Sequence, residues 1–141
     1  MDIIIPKESL IRNSSIENHN IIISDYLINN KTCLALTRWD ISDKDDYKNG
    51  AVFFDRPDSQ DTWIFRGGIP QMAGAEFGLG LCGCDNSIAY MIEQCGYNVI
   101  NPSRTIKTYH LHLTNVRNYI DVVGQVIERI PPPYKLLHPT E

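Results

Sequence analysis

Three short stretches carry residue types that can do chemistry. Asp58, Ser59, Gln60 and Asp61 form a polar run ahead of Trp63. A carboxylate beside a strand end can bind sugar hydroxyls, with Trp63 as a stacking platform. The same run also reads as an Asp-Ser turn closing onto a strand, with Trp63 in the core, because short polar side chains bond readily to nearby backbone. The second stretch, Gly83-Cys84-Asp85-Asn86, follows Gly78 and Gly80 into a helix start. Free N–H groups and the helix dipole favour an anion there, so Asp85 can stay ionised as a general base. It can equally be the N-cap, and one oxygen can cap while the other faces a cleft. Third, His110 and His112 alternate with Tyr109 and Leu111, which puts both imidazoles on one strand face about two rises of 3.3 Å apart. Such a pair can hold a metal, divide metal binding and substrate orientation between them, or be structural.

These groups need elements to position them. Residues 32–39 (TCLALTRW) are rich in β-formers and alternate, which predicts a strand. Residues 40–50 are polar and acidic and read as an exposed loop, followed by short strands at 51–54 and 62–65. A helix is expected over 85–95: Ile88, Met91, Ile92 and Cys95 fall at i, i+3, i+4 and i+7, and Gly96 suits the left-handed residue that ends it. Strands are then expected at 97–100, 105–113 and 122–130, with a stiff extended tail at Pro131 to Pro133. Residues 21–30 suit either a helix or a strand, and the first 20 residues read only as a brief apolar run, Ile3 to Ile5, stopped by Pro6.

At 141 residues, with 43% hydrophobic and 21% charged side chains, the chain can build one core and does not have a disordered composition. The net charge is −4 and its basic residues are scattered, so the stripe that replaces counterions on nucleic acid is missing. No apolar run approaches the roughly 20 residues of a membrane span, and the first ten residues lack the apolar region of a secretion signal. Asn13-Ser14-Ser15 and Asn30-Lys31-Thr32 fit the glycosylation acceptor pattern but have no secretory context. The four cysteines are expected to be reduced thiols, and the protein to be cytoplasmic.

Four segments together resemble a known family. ALTRWD (35–40), DSQDTWIF (58–65), GLGLCGCDNSIAYMIEQCGYNVINPS (78–103) and IKTYHLHLTNVRNY (106–119) come in the order seen in GT-A-type glycosyltransferase-like proteins of bacteria and viruses. The resemblance spans residues 34–134 and implies a partial GT-A-like α/β fold, a mixed sheet with flanking helices, within a single domain over 1–141 whose residues 1–33 diverge. It implies transfer of a sugar from a nucleotide-sugar donor to a hydroxyl of a carbohydrate acceptor. Asp85 resembles the catalytic base and His110 or His112 the C-terminal ligand of Mn²⁺ or Mg²⁺. Asp58, Asp61, Trp63 and Asn86 are then expected around the substrate. Where family members carry an acid for the metal, Asn13-Ser14-Ser15-Ile16 has none, and the 34 residues before Ala35 are too few for the nucleotide-binding half. A truncated chain of this kind is expected to self-associate or to dock onto a complementing subunit. Two other functions remain open: a non-catalytic carbohydrate-binding or assembly module, and a zinc domain using Cys82, Cys84, His110 and His112.

Overall fold

The chain's computed structural model describes residues 3–4, 23–111 and 128–141. In chain order the elements are β1 (Ile3–Ile4), α1 (Ile23–Tyr26), β2 (Thr32–Leu36), β3 (Trp39–Ile41), α2 (Tyr47–Gly50), β4 (Val52–Phe53), β5 (Thr62–Phe65), α3 (Cys84–Gln94), β6 (Asn98–Ile100) and β7 (Tyr109–Leu111). They build a small α/β domain with two mixed sheets. One is ordered β5-β2-β6, the other β1-β7-β3-β4.

β2 is the centre of the first sheet. It runs antiparallel to β5, with Ala35 opposite Trp63, and parallel to β6, with Cys33 opposite Val99. Covered on both faces, it is buried at all five positions, which is why it reads as a nearly continuous apolar run. Alternation divides its side chains: Cys33 and Ala35 join Ala89 and Ile92 of α3 in one core cluster, with Tyr97, Val99 and Leu137. Leu34 and Leu36 meet Leu27 and Ile106 in a second cluster on the opposite face, beside Ile23 and Tyr26 of α1. Each such buried aliphatic side chain contributes about 1.5–3 kcal/mol.

The expected strand over 32–39 is in fact two strands in different sheets. β2 ends at Leu36, Thr37 and Arg38 make the crossing, and β3 begins at Trp39. Out of the ladder, the Thr37 N–H is bonded instead by Asn101 Oδ1 at 3.2 Å. The chain crosses between the sheets again from β6 to β7. There Thr105 and Ile106 both donate back to the Pro102 carbonyl, so the expected strand over 105–113 shortens to β7 among the described residues. Asn101 ties the two crossings together. Its Nδ2 donates to Thr37 Oγ1 and to the Leu137 carbonyl, both at 2.9 Å.

α3 departs by one residue from the expected 85–95. Its N-cap is Gly83, at φ 86°, with no side-chain cap, so Asp85 lies inside the first turn and does not cap. The C-terminus follows the expected pattern: Gly96 is left-handed at φ 84°, its N–H donates to Glu93, and the Tyr97 N–H donates to Ile92. Ile88, Ile92 and Cys95 pack on the core, whereas Met91 turns to a cleft. Residues 40–50 are not all loop, because Asp40 lies within β3, paired in register with His110 of β7. The described end of the expected strand over 122–130 is a single bridge between Arg129 and Cys82. All four cysteines are free thiols. No helix among the described residues is long and apolar enough to cross a membrane.

Candidate functional site

The two crossings put polar side chains where the sheets part. Arg38 leaves the end of β2 and lies at the centre. Its Nε donates to Asp40 Oδ1 at 2.7 Å, and its Nη1 reaches both oxygens of Asp61 at 3.3 and 3.4 Å. The Phe54 ring lies under the guanidinium, 4.1 Å from Cζ, which fixes its plane. Asp61 precedes β5 and is held there by its own N–H on the Leu36 carbonyl, 2.9 Å away. Because β3 and β7 run parallel in register, His110 stands beside Asp40, with Nδ1 3.1 Å from the oxygen that Arg38 also holds. Three acids and two basic side chains therefore form one connected cluster once Asp85 is added.

Asp85 enters from the first turn of α3. Its Oδ2 accepts from the Gln60 backbone N–H at 3.2 Å, and its Oδ1 accepts from the Cys84 thiol at 3.4 Å. Burial is the main influence on this carboxyl and pushes its pKa up to about 6. The Gln60 and Cys84 hydrogen bonds pull it down, Asp61 pushes it further up and Arg38 pulls it down. Asp61 is raised too, because burial outweighs the adjoining Arg38. The Cys84 thiol, buried beside Asp85, is raised to about 11 and stays protonated at neutral pH. Gln60 Oε1 is buried with no hydrogen-bond partner among the described residues. The result is a carboxylate that is ionised at neutral pH yet basic enough to take a proton, which is the tuning general-base catalysis requires.

The structure joins Asp85, Asp61 and His110 through Arg38 and Asp40. It does not bring the other expected residues to them. Asp58 is at the surface in an ion pair with Arg56 at 2.5 Å, and that bond holds its carboxyl below the usual range. Trp63 packs against the core cluster that contains Ala89 and Ile92 of α3. Asn86 is buried and holds the C-terminal tail: its carbonyl accepts the Lys135 N–H at 3.0 Å, and its Nδ2 lies 3.5 Å from the Lys135 carbonyl. His112 lies outside the described residues, as do Asn13 to Ser15. Among the described residues no three His, Cys, Asp or Glu side chains converge as metal ligands do. The Asp40 oxygen nearest His110 is engaged by Arg38, and with His112 outside the described residues the expected Mn²⁺ or Mg²⁺ site is represented by His110 alone. A cleft of about 650 Å³ runs along α3, but none of its lining residues belongs to the cluster.

Arg38 and Asp40 are the residues of the cluster that motif reading left out. Both stand in ALTRWD, and the signal was a buried-type strand ending in Arg-x-Asp, two opposite charges on one strand face. Comparison with protein-family models, with curated proteins and with solved structures finds no match.

Proposed function

We propose that these residues form the acceptor side of a GT-A-type glycosyltransferase site, in which Asp85 is the base. The observation that supports it is the partly buried Asp85 carboxylate at the start of α3, with a pKa near 6 and a charged cluster behind it. In the step, Asp85 accepts the proton of an acceptor hydroxyl. The acceptor oxygen forms a bond to the anomeric carbon of a nucleotide-sugar donor, and the bond from that carbon to the phosphate oxygen breaks. Its electron pair leaves on the nucleoside diphosphate. Burial sets the raised pKa of Asp85, and Arg38, which holds Asp61 and Asp40, lowers it only slightly, with His110 beside Asp40. A divalent ion would supply charge neutralisation to the departing diphosphate, with His110 the described residue that the resemblance offers as its ligand.

The four sequence segments that resemble the family support the same reading, since ALTRWD, DSQD and GCDN are the stretches that meet in the cluster. Association with a second copy or a complementing chain belongs to it, supported by Val52, 69% exposed on the edge strand β4. Light scattering then reads a mass above 16.1 kDa.

The direct test is release of nucleoside diphosphate from a panel of nucleotide sugars, with a panel of saccharide acceptors, with and without Mn²⁺. Asp85→Asn is expected to lower turnover by about 10²–10⁴-fold, the usual range for a lost general base. Asp58→Ala is expected to change it by less than about twofold, because that side chain is exposed and paired elsewhere. Equal turnover in Asp85→Asn and the parent chain, or no donor turned over or bound, overturns the proposal.

A further inference from the structure

We propose that the cleft along α3 binds a neutral saccharide, at a site separate from the Asp85 cluster. Its floor is the helix stripe Ser87, Tyr90, Met91 and Gln94, spaced i, i+3, i+4 and i+7. At 3.6 residues per turn those positions lie about 120–180° around the helix from Asp85. One wall is the turn carrying Gln71, Glu76 and Phe77; the other is residues 130–133. Both walls are held in place. The first is closed by the Ala75 N–H on the Met72 carbonyl at 3.3 Å, with Gly74 left-handed at φ 83°. The second is fixed by the Ile130 N–H on the Cys82 carbonyl at 2.9 Å and by Ser87 Oγ on the Pro131 carbonyl at 3.4 Å. The space of about 650 Å³ falls within the usual range of small-molecule sites, about 300–1,000 Å³.

The lining chemistry selects the ligand class. Phe77, Tyr90, Met91 and the proline rings offer apolar and aromatic faces. Between them, the side chains of Gln71, Glu76, Tyr90 and Gln94 make no hydrogen bond or ion pair with other described residues, so donors and acceptors stand interleaved with the apolar faces. Among the described residues that line the cleft there is no Lys, Arg or His. A phosphate, nucleotide or carboxylate ligand would find no cation there and would meet Glu76. A wholly apolar ligand would cover the Tyr90 hydroxyl and two amides without satisfying them, which costs binding energy. A sugar ring has a C–H face for the aromatic side chains and edge hydroxyls for the amides and the Glu76 carboxylate. Its match to both parts of the lining identifies a neutral saccharide as the ligand.

The test is calorimetric titration of the whole chain with neutral oligosaccharides built on glucose, galactose, mannose and N-acetylglucosamine. Glucuronate-containing oligosaccharides, uridine diphosphate and a proline-rich peptide are titrated alongside. At least one neutral oligosaccharide is expected to bind saturably, and Tyr90→Ala to weaken it by about tenfold or more. Tyr90→Phe is expected to weaken it less than Tyr90→Ala. Gln94→Ala, at an exposed helix position that leaves the fold intact, is expected to weaken it by about threefold or more. Asp85→Asn is expected to leave it within about twofold, so this site and the transfer chemistry fail or survive separately. The proposal is overturned if no neutral oligosaccharide binds or if only the charged ligands or the peptide bind. It is equally overturned if binding survives both Gln94→Ala and a folded Tyr90→Ala.

Discussion

Asp85 and Arg38 concentrate the energetic conflict of this molecule in a few side chains. Burial raises the Asp85 pKa from an unfolded value near 3.8 to about 6, so the native state binds its proton more tightly than the unfolded state does. The sign follows: this carboxyl favours folding below about pH 4, and that contribution is lost as pH rises from about 4 through about 6. Asp85→Asn keeps acceptor geometry but carries no charge, so its melting temperature relative to the parent chain should rise across that window. Paired melts at pH 4.5 and 7.5 check this; a constant difference between the two pH values would refute it. Transfer activity, if Asp85 is the base, should rise through about pH 6 as the carboxyl loses its proton. Arg38 is the reverse case, a cation shared by two acids with a side chain only 8% exposed. Arg38→Met leaves Asp40 and Asp61 facing each other and should cost about 3–5 kcal/mol in denaturant unfolding. Arg38→Lys should recover only part, because an ammonium lacks the planar fork that reaches Asp40 and Asp61 together.

α3 is set by a glycine at each end, and the two are not equivalent. Gly96 is left-handed at φ 84° with open space around it, so Gly96→Ala pays only backbone strain, about 1–2 kcal/mol. Gly83 is also left-handed, at φ 86°, but a Cβ there would come 2.9 Å from the Tyr134 hydroxyl and 3.0 Å from the Ile130 carbonyl. That carbonyl accepts the Tyr134 O–H, so the neighbours cannot simply rotate away. Gly83→Ala should therefore cost more than Gly96→Ala, at about 2 kcal/mol or more, and loosen residues 130–134 from the start of the helix. Denaturant unfolding of the two variants gives the ranking directly, and equal losses would mean the close approach carries no weight. The same segment forms a wall of the α3 cleft, so Gly83→Ala should also weaken any ligand held there.

The molecule as a whole depends on one buried amide. Asn101 binds the first sheet crossing through Thr37, the second through Ser103 at 2.5 Å, and the C-terminal tail through the Leu137 carbonyl. The Thr140 N–H closes the tail on the Asn101 carbonyl at 2.8 Å. Asn101→Ala strips partners from two buried backbone groups, the Thr37 N–H and the Leu137 carbonyl, and from the Thr37 and Ser103 hydroxyls, at about 1–3 kcal/mol for each group left unsatisfied, so the expected loss is about 3 kcal/mol or more. Hydrogen exchange should show protection falling at Thr37 and Leu137 before it falls at Ile92 in the α3 core. Uniform loss across all three would mean Asn101 contributes only to global stability.

Local pattern alone determined the elements whose signals are complete within a few residues. The α3 helix was legible because its apolar spacing and Gly96 are both local, and TWIF was legible as a strand because its β-formers and flanking turns are contiguous. The acid at a helix start was legible too, though its role as a cap was not: Gly83 took the N-cap position and freed Asp85 to face Gln60. What only the tertiary structure decided concerns residues far apart in the chain. TCLALTRW reads as one strand because nothing in its alternation shows that Asn101, 64 positions away, takes the Thr37 N–H out of the ladder. That break carries Arg38 to Asp61 and sets Asp40 beside His110, 70 positions away. Asp58 and Trp63, neighbours of Asp61 in sequence, go elsewhere, Asp58 to the surface beside Arg56 and Trp63 to the core cluster. Periodicity records which face of an element is buried, whereas the meeting of charges depends on where two sheets part, and that is set by long-range hydrogen bonds between crossings.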